Sequence, residues 1–542
     1  MTKNPNASVA DRFVADRLPA PELWPQLRYD TAELQLPEQV NLVVQLLDRA
    51  ADRGWAERPL LRSPKIVLSY ADVRGRVDRI ARVLIEDCGL VSGNRVLLRG
   101  GNSIGMALAW LAVVKAGLVA VATMPLLRAR ELGDIIDKAQ PALALCELKL
   151  ADELQAVPQA PATIYFNAGD APDSLALRAA VKDGDYPGHP TAADDAALLA
   201  FTSGTTGKPK AVIHTHRDVL AACECWPRHV LRATPDDIVM GSPPLAFTFG
   251  LGGLLVFPMW AGASVYFPDV PYTPEVMARI IHDTQATICY TAPTFYRQLA
   301  PHMKALAAQR GAPALRICVS AGEGLPDATR QLWKDATGIE MLDGIGATEM
   351  FHIFISSAGA DVRRGAIGRV VPGYQARVVD DDGNELPRGS VGKLAVIGPT
   401  GCRYLEDARQ TAYVKGGWNY PGDAFVQDAD GYFFYQARAD DMIITAGYNV
   451  GGPEVEDALL KHPAVAECGV IGKPDDERGM IVKAFVVLRD GHVAGPDTAR
   501  ALQDFVKAAI APYKYPREID FVPTLPRTET GKLQRFKLRQ NA

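Results

Sequence analysis

Phe201 to Lys210 reads Phe-Thr-Ser-Gly-Thr-Thr-Gly-Lys-Pro-Lys, and the rest of the fold is predicted outward from this stretch. It contains two glycines, four hydroxyl side chains and two lysines. An apolar run at 195–200 precedes it and predicts a buried strand, and a second β-rich run follows at 211–214. Glycines let backbone N–H groups approach a ligand, hydroxyls donate hydrogen bonds, and lysines supply positive charge. A strand that ends in such a loop predicts a polyphosphate-binding site.

Two other interpretations of this loop have to be weighed. Most clusters of glycine, serine and threonine are flexible surface turns, but here the charge is all lysine and a β-rich stretch resumes directly afterwards. The loop also differs from a Walker motif, which would need a glycine at Thr202 and a hydroxyl at Pro209. We therefore favour a phosphate-binding loop over a plain turn, and this loop is not a Walker motif.

Length, composition and charge limit the classes of protein to which this chain can belong. The chain has 542 residues, of which 48% are hydrophobic and 22% charged, and this is typical of a soluble globular enzyme with several domains. A net charge of -5 gives no electrostatic case for nucleic acid or an anionic membrane. The eight cysteines are scattered, and Cys223 and Cys225 lack zinc-site spacing. Residues 1–16 do not form a secretory signal, so we expect reduced thiols in a cytoplasmic protein.

Strands and helices alternate along much of the chain, which predicts an α/β fold. Strand 95–98, helix 103–116 and strand 119–122 follow one another with short connections, as in a parallel sheet. Ligands bind beyond the carboxyl ends of such strands. We therefore expect the strand-end loops that begin at Thr202 and Ala321, and the segment that begins at Gly344, to meet around one ligand.

The stretch from Thr202 to Lys210 resembles the nucleotide loop of the adenylate-forming superfamily, which includes acyl-CoA synthetases, nonribosomal adenylation domains and luciferases. Further motifs follow in that family's order over nearly the whole chain after the N-terminal arm. The resemblance implies a large N-terminal α/β domain at 1–439 with stacked mixed and parallel sheets, helices and a small β-barrel-like subdomain. A small mobile C-terminal α/β domain at 440–542 would follow. The residues that it assigns to ATP are Thr202, Ser203, Gly204, Thr205, Thr206, Gly207, Lys210, Ala321, Gly322, Glu323, Asp343, Gly344, Ile345, Gly346, Asp423 and Arg438.

The Thr348-Glu349 pair is expected to act on the phosphates. A hydroxyl can bond the α-phosphate, and a carboxylate is a hard ligand that can hold Mg²⁺ against phosphate oxygens. A lone Thr-Glu pair is usually a helix cap or an exposed face, and the resemblance is what assigns Thr348 and Glu349 to catalysis and Glu349 to the metal. Asp423 would accept hydrogen bonds from both ribose hydroxyls.

The segment from 343 to 354 resembles benzoate and 2-aminobenzoate CoA ligases more than fatty-acid or acetate enzymes. That resemblance implies an aryl-acid pocket. On their own, two phenylalanines in an apolar run are usually core, and a lone histidine is usually a packed one. The residues implied to form the flat pocket are Phe247, Phe249, Gly344, Ile345 and His352.

The C-terminal domain is implied to carry the remaining chemistry. Lys532, which follows a glycine in a basic tail, would be the catalytic lysine of adenylation, although such lysines are ordinarily solvated charges. Asp440 would be the hinge, and Ala446, Gly447 and Tyr448 would line the CoA tunnel. Rotation about the hinge would withdraw Lys532 before the thiol attacks.

The implied activity is an ATP-dependent aryl-acid–CoA ligase that requires Mg²⁺ and activates 2-aminobenzoate or a similar benzoate. It would form an acyl adenylate and then the CoA thioester, releasing diphosphate and AMP. We expect small-molecule partners only (aryl carboxylate, ATP and CoA), no nucleic acid or membrane, and a monomer or homodimer. The alternatives are a benzoate–CoA ligase, an adenylating enzyme that loads a separate carrier protein, a luciferase-like oxidoreductase, and a nucleotide-binding regulator with a dead site.

Overall fold

The computed structural model describes residues 9–171, 173–202, 209–438, 441–445, 448–475, 478–527 and 532–540, except for the side chain of Asn449. The strands are β1 (Pro59–Arg62), β2 (Val67–Ser69), β3 (Arg95–Arg99), β4 (Val119–Thr123), β5 (Leu143–Glu147), β6 (Thr163–Phe166), β7 (Ala196–Thr202), β8 (Lys210–Thr215), β9 (Ile238–Gly241), β10 (Ser264–Tyr266), β11 (Ile288–Thr291), β12 (Ile317–Ser320), β13 (Leu342–Gly346), β14 (Ile353–Ser356), β15 (Arg369–Val370), β16 (Gln375–Val379), β17 (Val391–Ile397), β18 (Val414–Lys415), β19 (Trp418–Asn419), β20 (Asp423–Gln427), β21 (Phe433–Arg438), β22 (Ile443–Thr445), β23 (Tyr448–Val450), β24 (Val465–Asp475), β25 (Gly479–Leu488) and β26 (Glu518–Phe521).

The α-helices lie between these strands, as an α/β fold requires. They are α1 (Leu42–Leu46), α2 (Tyr70–Arg82), α3 (Ile104–Lys115), α4 (Ala129–Ala139), α5 (Ala151–Gln155), α6 (Leu175–Ala180), α7 (His216–Trp226), α8 (Thr248–Leu251), α9 (Phe257–Ala261), α10 (Pro274–Thr284), α11 (Pro293–Arg310), α12 (Asp327–Thr337), α13 (Gln410–Tyr413), α14 (Gly452–Leu460), α15 (Pro496–Ala509) and α16 (Arg535–Gln540). Among the helices that the structure describes, none has both the length and the apolarity needed to cross a bilayer.

Within the described residues, the strands form four sheets. One has nine strands in the order β15-β14-β13-β12-β11-β9-β10-β1-β2, and a second has six in the order β6-β5-β3-β4-β7-β8. Both are mainly parallel, and β13-β14, β14-β15, β1-β2 and β7-β8 are antiparallel pairs. The stacked mixed and parallel sheets predicted for the N-terminal part are therefore confirmed.

The other two sheets form the smaller parts of the fold. In the described chain, β16 to β21 make an antiparallel sheet in the region expected to form a small β-barrel-like subdomain, with the open order β18-β19-β17-β20-β21 and β16 beside β17. β22 to β26 make the sheet of the C-terminal domain, and α14 packs on its strand β24. Buried aliphatic residues of this domain form a core of their own, including Val455, Val470, Val482 and Leu502. The small C-terminal α/β domain expected from the sequence is thus present.

Local sequence explains why several of these elements start where they do. Ser69 caps α2 by accepting a hydrogen bond from the backbone N–H of Asp72, whose side chain bonds back to the cap. Thr215 and Asp218 make the same reciprocal pair at the start of α7. These caps satisfy N–H groups that the first turn of a helix leaves unpaired. α7 therefore begins directly after β8, which brings its buried face against the site described next.

Candidate active site

The two strands that flank the glycine-rich loop form a hairpin. β7 ends at Thr202 and β8 begins at Lys210, and these two residues are paired across the antiparallel ladder. Ser203 to Lys208 lie outside the described residues, so the ATP roles predicted for Ser203, Gly204, Thr205, Thr206 and Gly207 stay predictions. The Thr202 hydroxyl is buried and has no hydrogen-bond partner among the described residues.

A second hairpin carries Thr348 and Glu349. β13 runs to Gly346, a tight turn follows, and β14 returns from Ile353. A Cβ atom on Gly346 would lie 2.6 Å from the His352 carbonyl oxygen, so only glycine fits this close approach. Phe351 has φ 70°, a conformation that non-glycine residues rarely adopt. The turn is thus strained, as is common at functional sites, and it carries both Glu349 and His352.

The two hairpins contact each other, although they belong to different sheets. His214 on β8 bonds through its Nε2 to the Thr348 carbonyl oxygen at 2.7 Å. Lys210 Nζ lies 3.6 Å from Glu349 Oε1. The nucleotide-loop hairpin and the Thr348-Glu349 turn therefore form one wall.

Tyr404 connects these two groups, and sequence reasoning missed it. Its hydroxyl accepts a hydrogen bond from Lys210 Nζ at 2.9 Å and donates one to Glu349 Oε1. Burial, and then the Glu349 carboxylate, raise the pKa of the Tyr404 hydroxyl well above its ordinary value, so it stays protonated and acts as a donor. Nothing in the local sequence signals this role, since Tyr404 is 194 residues from Lys210.

The loop after β12 receives the C-terminal tail. Gly322 has φ +92°, and a Cβ atom on it would lie 3.7 Å from Lys532 Cε. Next to it, Glu323 accepts a hydrogen bond from the Thr294 hydroxyl at 2.8 Å. Arg527 Nη1 lies 3.7 Å from Glu323 Oε1. Burial raises the pKa of Glu323, and Thr294, Arg527 and Lys532 oppose that rise. The tail thus brings positive charge onto the Ala321–Glu323 loop, at the end of a strand paired with β13.

Asp423 and Arg438 are brought together as neighbours on the paired strands β20 and β21. Arg438 Nη1 donates to the Pro421 carbonyl oxygen at 2.8 Å and to Asp423 Oδ1 at 3.4 Å. Asp423 is buried, whereas Arg438 is exposed. Nearby, a Cβ atom on Gly324 would lie 3.6 Å from the ring of Tyr435 on β21. The strand that carries Arg438 therefore contacts, through Tyr435, the segment that directly follows the loop approached by Lys532.

Asp343 on β13 is fully enclosed at the base of this region. Its Oδ1 has no hydrogen-bond partner among the described residues. Burial raises the pKa of its carboxyl from 3.8 to about 7, and the Arg330 charge opposes this. Between pH 3.8 and about pH 7, the unfolded chain therefore binds fewer protons than the folded chain. The stability contribution of Asp343 is fully present below the unfolded pKa of 3.8 and is lost as the pH rises through the folded pKa of about 7.

We predict that Asp343→Asn removes this pH dependence. Relative to the variant, the wild-type protein should lose about 4 kcal/mol of free energy of unfolding between about pH 4 and pH 8, and the difference should stay level above about pH 8. Melting temperatures of both proteins across this range measure the difference. Other titrating groups cancel in it, so a pH-independent difference would contradict the assignment.

Aromatic rings surround His352. The centroid of its ring lies 5.5 Å from Phe249, 5.2 Å from Trp226 and 4.6 Å from Phe257. Phe249 also contacts Tyr290, with centroids 5.8 Å apart. Gly252 permits this packing, since a Cβ atom there would lie 2.6 Å from His352 Cδ2. We call Trp226, Phe249, Phe257, Tyr290 and His352 the aromatic cluster.

The aromatic cluster is uncharged. Burial lowers the pKa of the His352 imidazole to about 3, so the ring is neutral at physiological pH. Phe247 and Ile345 are only partly buried, and Phe247 makes no ring contact within the described residues. A Cβ atom on Gly344 would lie 2.7 Å from Ile353 Cδ1, so Gly344 lets β14 approach β13. The structure thus groups Phe249 with His352 and leaves Phe247 beside them at the start of α8.

The AMP-binding enzyme family model matches residues 47–403, and the model of the AMP-binding enzyme C-terminal domain matches residues 454–532. The chain belongs to the AMP-binding enzyme family. Its benzoate–CoA ligase relative from Thauera aromatica is 34% identical over 93% of this chain and 97% of that protein.

Solved structures also resemble this AMP-binding enzyme. The anthranilate CoA ligase AuaEII, solved with anthranoyl-AMP, has a TM-score of 0.88 and 32% identity, over 94% of this chain and 99% of that one. A benzoate CoA ligase from Burkholderia xenovorans LB400 has a TM-score of 0.83 and 29% identity, over 92% of this chain and 100% of that one. The family resemblance inferred from the motifs is therefore confirmed.

One acidic residue of this AMP-binding enzyme fits Mg²⁺. The described residues contain no cluster of three or more His, Cys, Asp or Glu side chains that could hold a metal alone. Mg²⁺ in nucleotide sites is commonly held by one or two carboxylates together with phosphate oxygens and water. Glu349 meets this requirement, because Tyr404 orients its carboxylate where the Thr348-Glu349 turn meets the nucleotide-loop hairpin.

The hinge and tunnel residues of the AMP-binding enzyme are only partly described. Asp440, Ala446 and Gly447 lie outside the described residues, and their roles, like the 439/440 domain boundary, stay predictions. Tyr448 begins β23, is 55% exposed, and stacks on Tyr513 with ring centroids 4.5 Å apart. Of the three predicted tunnel residues, the structure therefore describes only Tyr448, at the surface of the C-terminal domain.

Proposed function

We propose that this chain is an ATP-dependent aryl-acid–CoA ligase that activates 2-aminobenzoate or a similar benzoate. The observation that carries the proposal is an uncharged aromatic cluster beside a turn that presents Thr348 and Glu349. The lysine tail of the C-terminal domain approaches the adjacent strand end at Gly322. The similarity to benzoate and anthranilate CoA ligases supports the same activity.

In the first step, a carboxylate oxygen of the acid attacks the α-phosphorus of ATP, the bond to diphosphate breaks, and an acyl adenylate forms. Positioning and neutralisation of phosphate charge dominate such a transfer. Lys532 and Lys210 supply ammonium groups, and the Thr348 hydroxyl bonds the α-phosphate. Mg²⁺, when bound by Glu349, would supply further positive charge against the phosphate oxygens.

In the second step, the CoA thiol attacks the acyl carbon and AMP leaves. Lys532 occupies the side from which the thiol has to approach, so the C-terminal domain has to turn about Asp440 before this step. The rotation would bring the segment that includes Gly447 and Tyr448 to the acyl adenylate. The position of Lys532 beside Gly322 corresponds to the adenylation arrangement in this scheme.

The aromatic cluster favours an uncharged ring over a second carboxylate. Because His352 is neutral and the other members are hydrocarbon-rich rings, the cluster offers no cation to balance a dicarboxylic acid. Flat rings pack well against aromatic side chains by offset and edge contacts. The cluster therefore suits a benzoate, and discrimination of one small ortho substituent is expected to amount to about 1–3 kcal/mol.

The test is acid-dependent AMP release in the presence of ATP, Mg²⁺ and CoA. Benzoate, 2-aminobenzoate, the hydroxybenzoates, malonate and short fatty acids should be compared by kcat/KM. We expect the benzoates to exceed the aliphatic acids. Preference for an aliphatic acid would overturn the aryl assignment, and adenylate formation without any thioester on free CoA would favour a carrier-loading enzyme.

We also propose a cytoplasmic protein that acts as a monomer or homodimer. All eight cysteines lie within the described residues, and they are free, which suits a reducing compartment. Light scattering of the purified protein measures the oligomeric state.

A further inference from the structure

Tyr404 lies between two groups that the proposed function assigns to ATP and metal. Its side chain is fully buried, and Glu349 is only 7% exposed. The hydroxyl accepts from Lys210 Nζ at 2.9 Å and donates to Glu349 Oε1, while the ammonium and this same carboxylate oxygen are 3.6 Å apart. Lys210 Nζ also lies 4.9 Å from the centroid of the Tyr404 ring. The phenol hydroxyl thus bridges the lysine and the carboxylate, which also form an ion pair with each other.

The backbone around Tyr404 is fixed to the strand that carries Lys210. The amides of Ile213 and Leu405 donate to the carbonyls of Arg403 and Ala211 at 2.8 and 2.9 Å. The Gln410 side chain accepts from the Tyr404 amide at 2.9 Å. Tyr404 therefore moves with β8 and with the nucleotide-loop hairpin.

This arrangement has a consequence for the carboxylate. Opposite charges attract strongly in a poorly solvated site, and ammonium–carboxylate contacts commonly close to about 2.8 Å. At 3.6 Å, Lys210 forms an ion pair with Glu349 but does not hydrogen-bond to it, and Tyr404 supplies the hydrogen bond to the carboxylate. This neutral donor fixes the orientation of the carboxylate and adds no further positive charge beside the oxygen atoms that attract a divalent cation.

We propose that Tyr404 is a positioning residue that orients the Glu349 carboxylate for Mg²⁺ and keeps Lys210 from hydrogen-bonding to it directly. The proposal rests on the proposed function, because that function is what assigns Glu349 to the metal of ATP. Hydrogen-bonding partners of metal ligands typically change metal affinity by about 10–100-fold when they are removed. In Tyr404→Phe, Lys210 would close on Glu349 and compete with the metal.

The test is Mn²⁺ binding to the full-length protein saturated with the ATP analogue α,β-methylene-ATP, followed by the electron paramagnetic resonance signal of free Mn²⁺. We expect Tyr404→Phe to weaken Mn²⁺ binding by about 10-fold. Binding of the analogue in EDTA should stay unchanged. Unchanged Mn²⁺ affinity, or an equal loss of metal-free nucleotide binding, would overturn the proposal.

Tyr413→Phe is the matched control. Its ring contacts Tyr404 with centroids 5.9 Å apart, and its buried hydroxyl has no hydrogen-bond partner among the described residues. It removes the same atom from a neighbouring buried tyrosine, so we expect wild-type Mn²⁺ affinity. A loss equal to that of Tyr404→Phe would indicate general loosening of the packing around these two rings and would refute a specific role for Tyr404.

A double variant separates positioning from packing. If Tyr404 acts through Glu349, Tyr404→Phe should not weaken Mn²⁺ binding further in a Glu349→Gln background, whereas additive losses would refute this. Should Tyr404→Phe fail to fold, Lys210→Met decides. Because Lys210 is also assigned to the phosphates, this variant is titrated at an analogue concentration that saturates it. Glu349 would still be held by Tyr404, so Mn²⁺ should bind to this saturated complex at least as tightly as to the wild-type complex, and weaker binding would overturn the proposal.

Failure of the proposed function is distinguishable from failure of this inference. The proposed function fails if the wild-type protein releases no AMP with any aryl acid. The role of Tyr404 fails on the Mn²⁺ titrations alone, in which no acid is present.

Discussion

Lys532→Ala is expected to lower the rate of acyl-adenylate formation by about 10²–10³-fold, the usual loss when one preorganised donor to a developing charge is removed. The Lys532 side chain passes Gly322 at the end of β12, next to the strand that leads to Thr348 and Glu349. Acid-dependent exchange of labelled diphosphate into ATP measures this step alone. Conversion of synthetic acyl adenylate to the thioester by added CoA should stay near the wild-type rate, because the proposed hinge rotation withdraws Lys532 before that step.

Lys537→Ala is the control for this variant. Lys537 is exposed on α16, five positions after Lys532. Its substitution by alanine removes the same charge from the same tail. We expect normal diphosphate exchange. If Lys532→Ala slows both steps equally, or if Lys537→Ala slows exchange as much, the division of labour between the two steps is wrong.

Gly252→Ala is expected to lower kcat/KM for the aryl acid by about 10–100-fold, while KM for ATP changes little. The added Cβ would lie 2.6 Å from His352 Cδ2 and 3.0 Å from the Phe257 ring. Both rings are buried in the aromatic cluster, so they cannot swing into solvent, and overpacking of such sites costs about 1–3 kcal/mol. Steady-state kinetics with benzoate and 2-aminobenzoate measure the effect.

Gly75→Ala is the matched substitution outside the cluster. Gly75 lies inside α2, and a Cβ atom there would have no heavy atom within 4 Å. Alanine is favoured over glycine in a helix by about 1 kcal/mol, so this variant should melt at or above the wild-type temperature with unchanged kinetics. An aryl-acid kcat/KM in Gly252→Ala equal to that of Gly75→Ala would show that His352 does not border the acid.

Much of the fold can be predicted from the sequence because strands and helices are encoded locally. The apolar run before Thr202 predicts β7, and the run after Lys210 predicts β8, since alternating or continuous apolar residues specify a buried strand. The α/β order predicts parallel sheets and strand-end loops. The Gly344–Gly346 glycines also have a local signature, because only glycine permits the close hairpin approach at Gly346.

The strand-end rule could not assign these loops to particular sheets. It treats the loops at Thr202, Ala321 and Gly344 as parts of one edge, but β7 belongs to the six-stranded sheet and β12 and β13 to the nine-stranded sheet of the described chain. The apolar pattern of a strand indicates that the strand is buried but does not indicate which strands lie next to it. The packing between sheets is set by contacts between residues far apart in sequence.

The sequence by itself determined the family, the alternation of strands and helices along the chain, and the residue types that suit phosphate, metal and an aromatic ring. Only the tertiary structure decided that His214 contacts Thr348, that Lys532 reaches Gly322, and that Tyr404 joins Lys210 to Glu349. The physical reason is that local periodicity specifies which face of an element is buried, whereas the partner of a buried polar group is chosen by which surfaces pack together. A tyrosine in a segment without any recognised motif therefore becomes part of the site through packing alone.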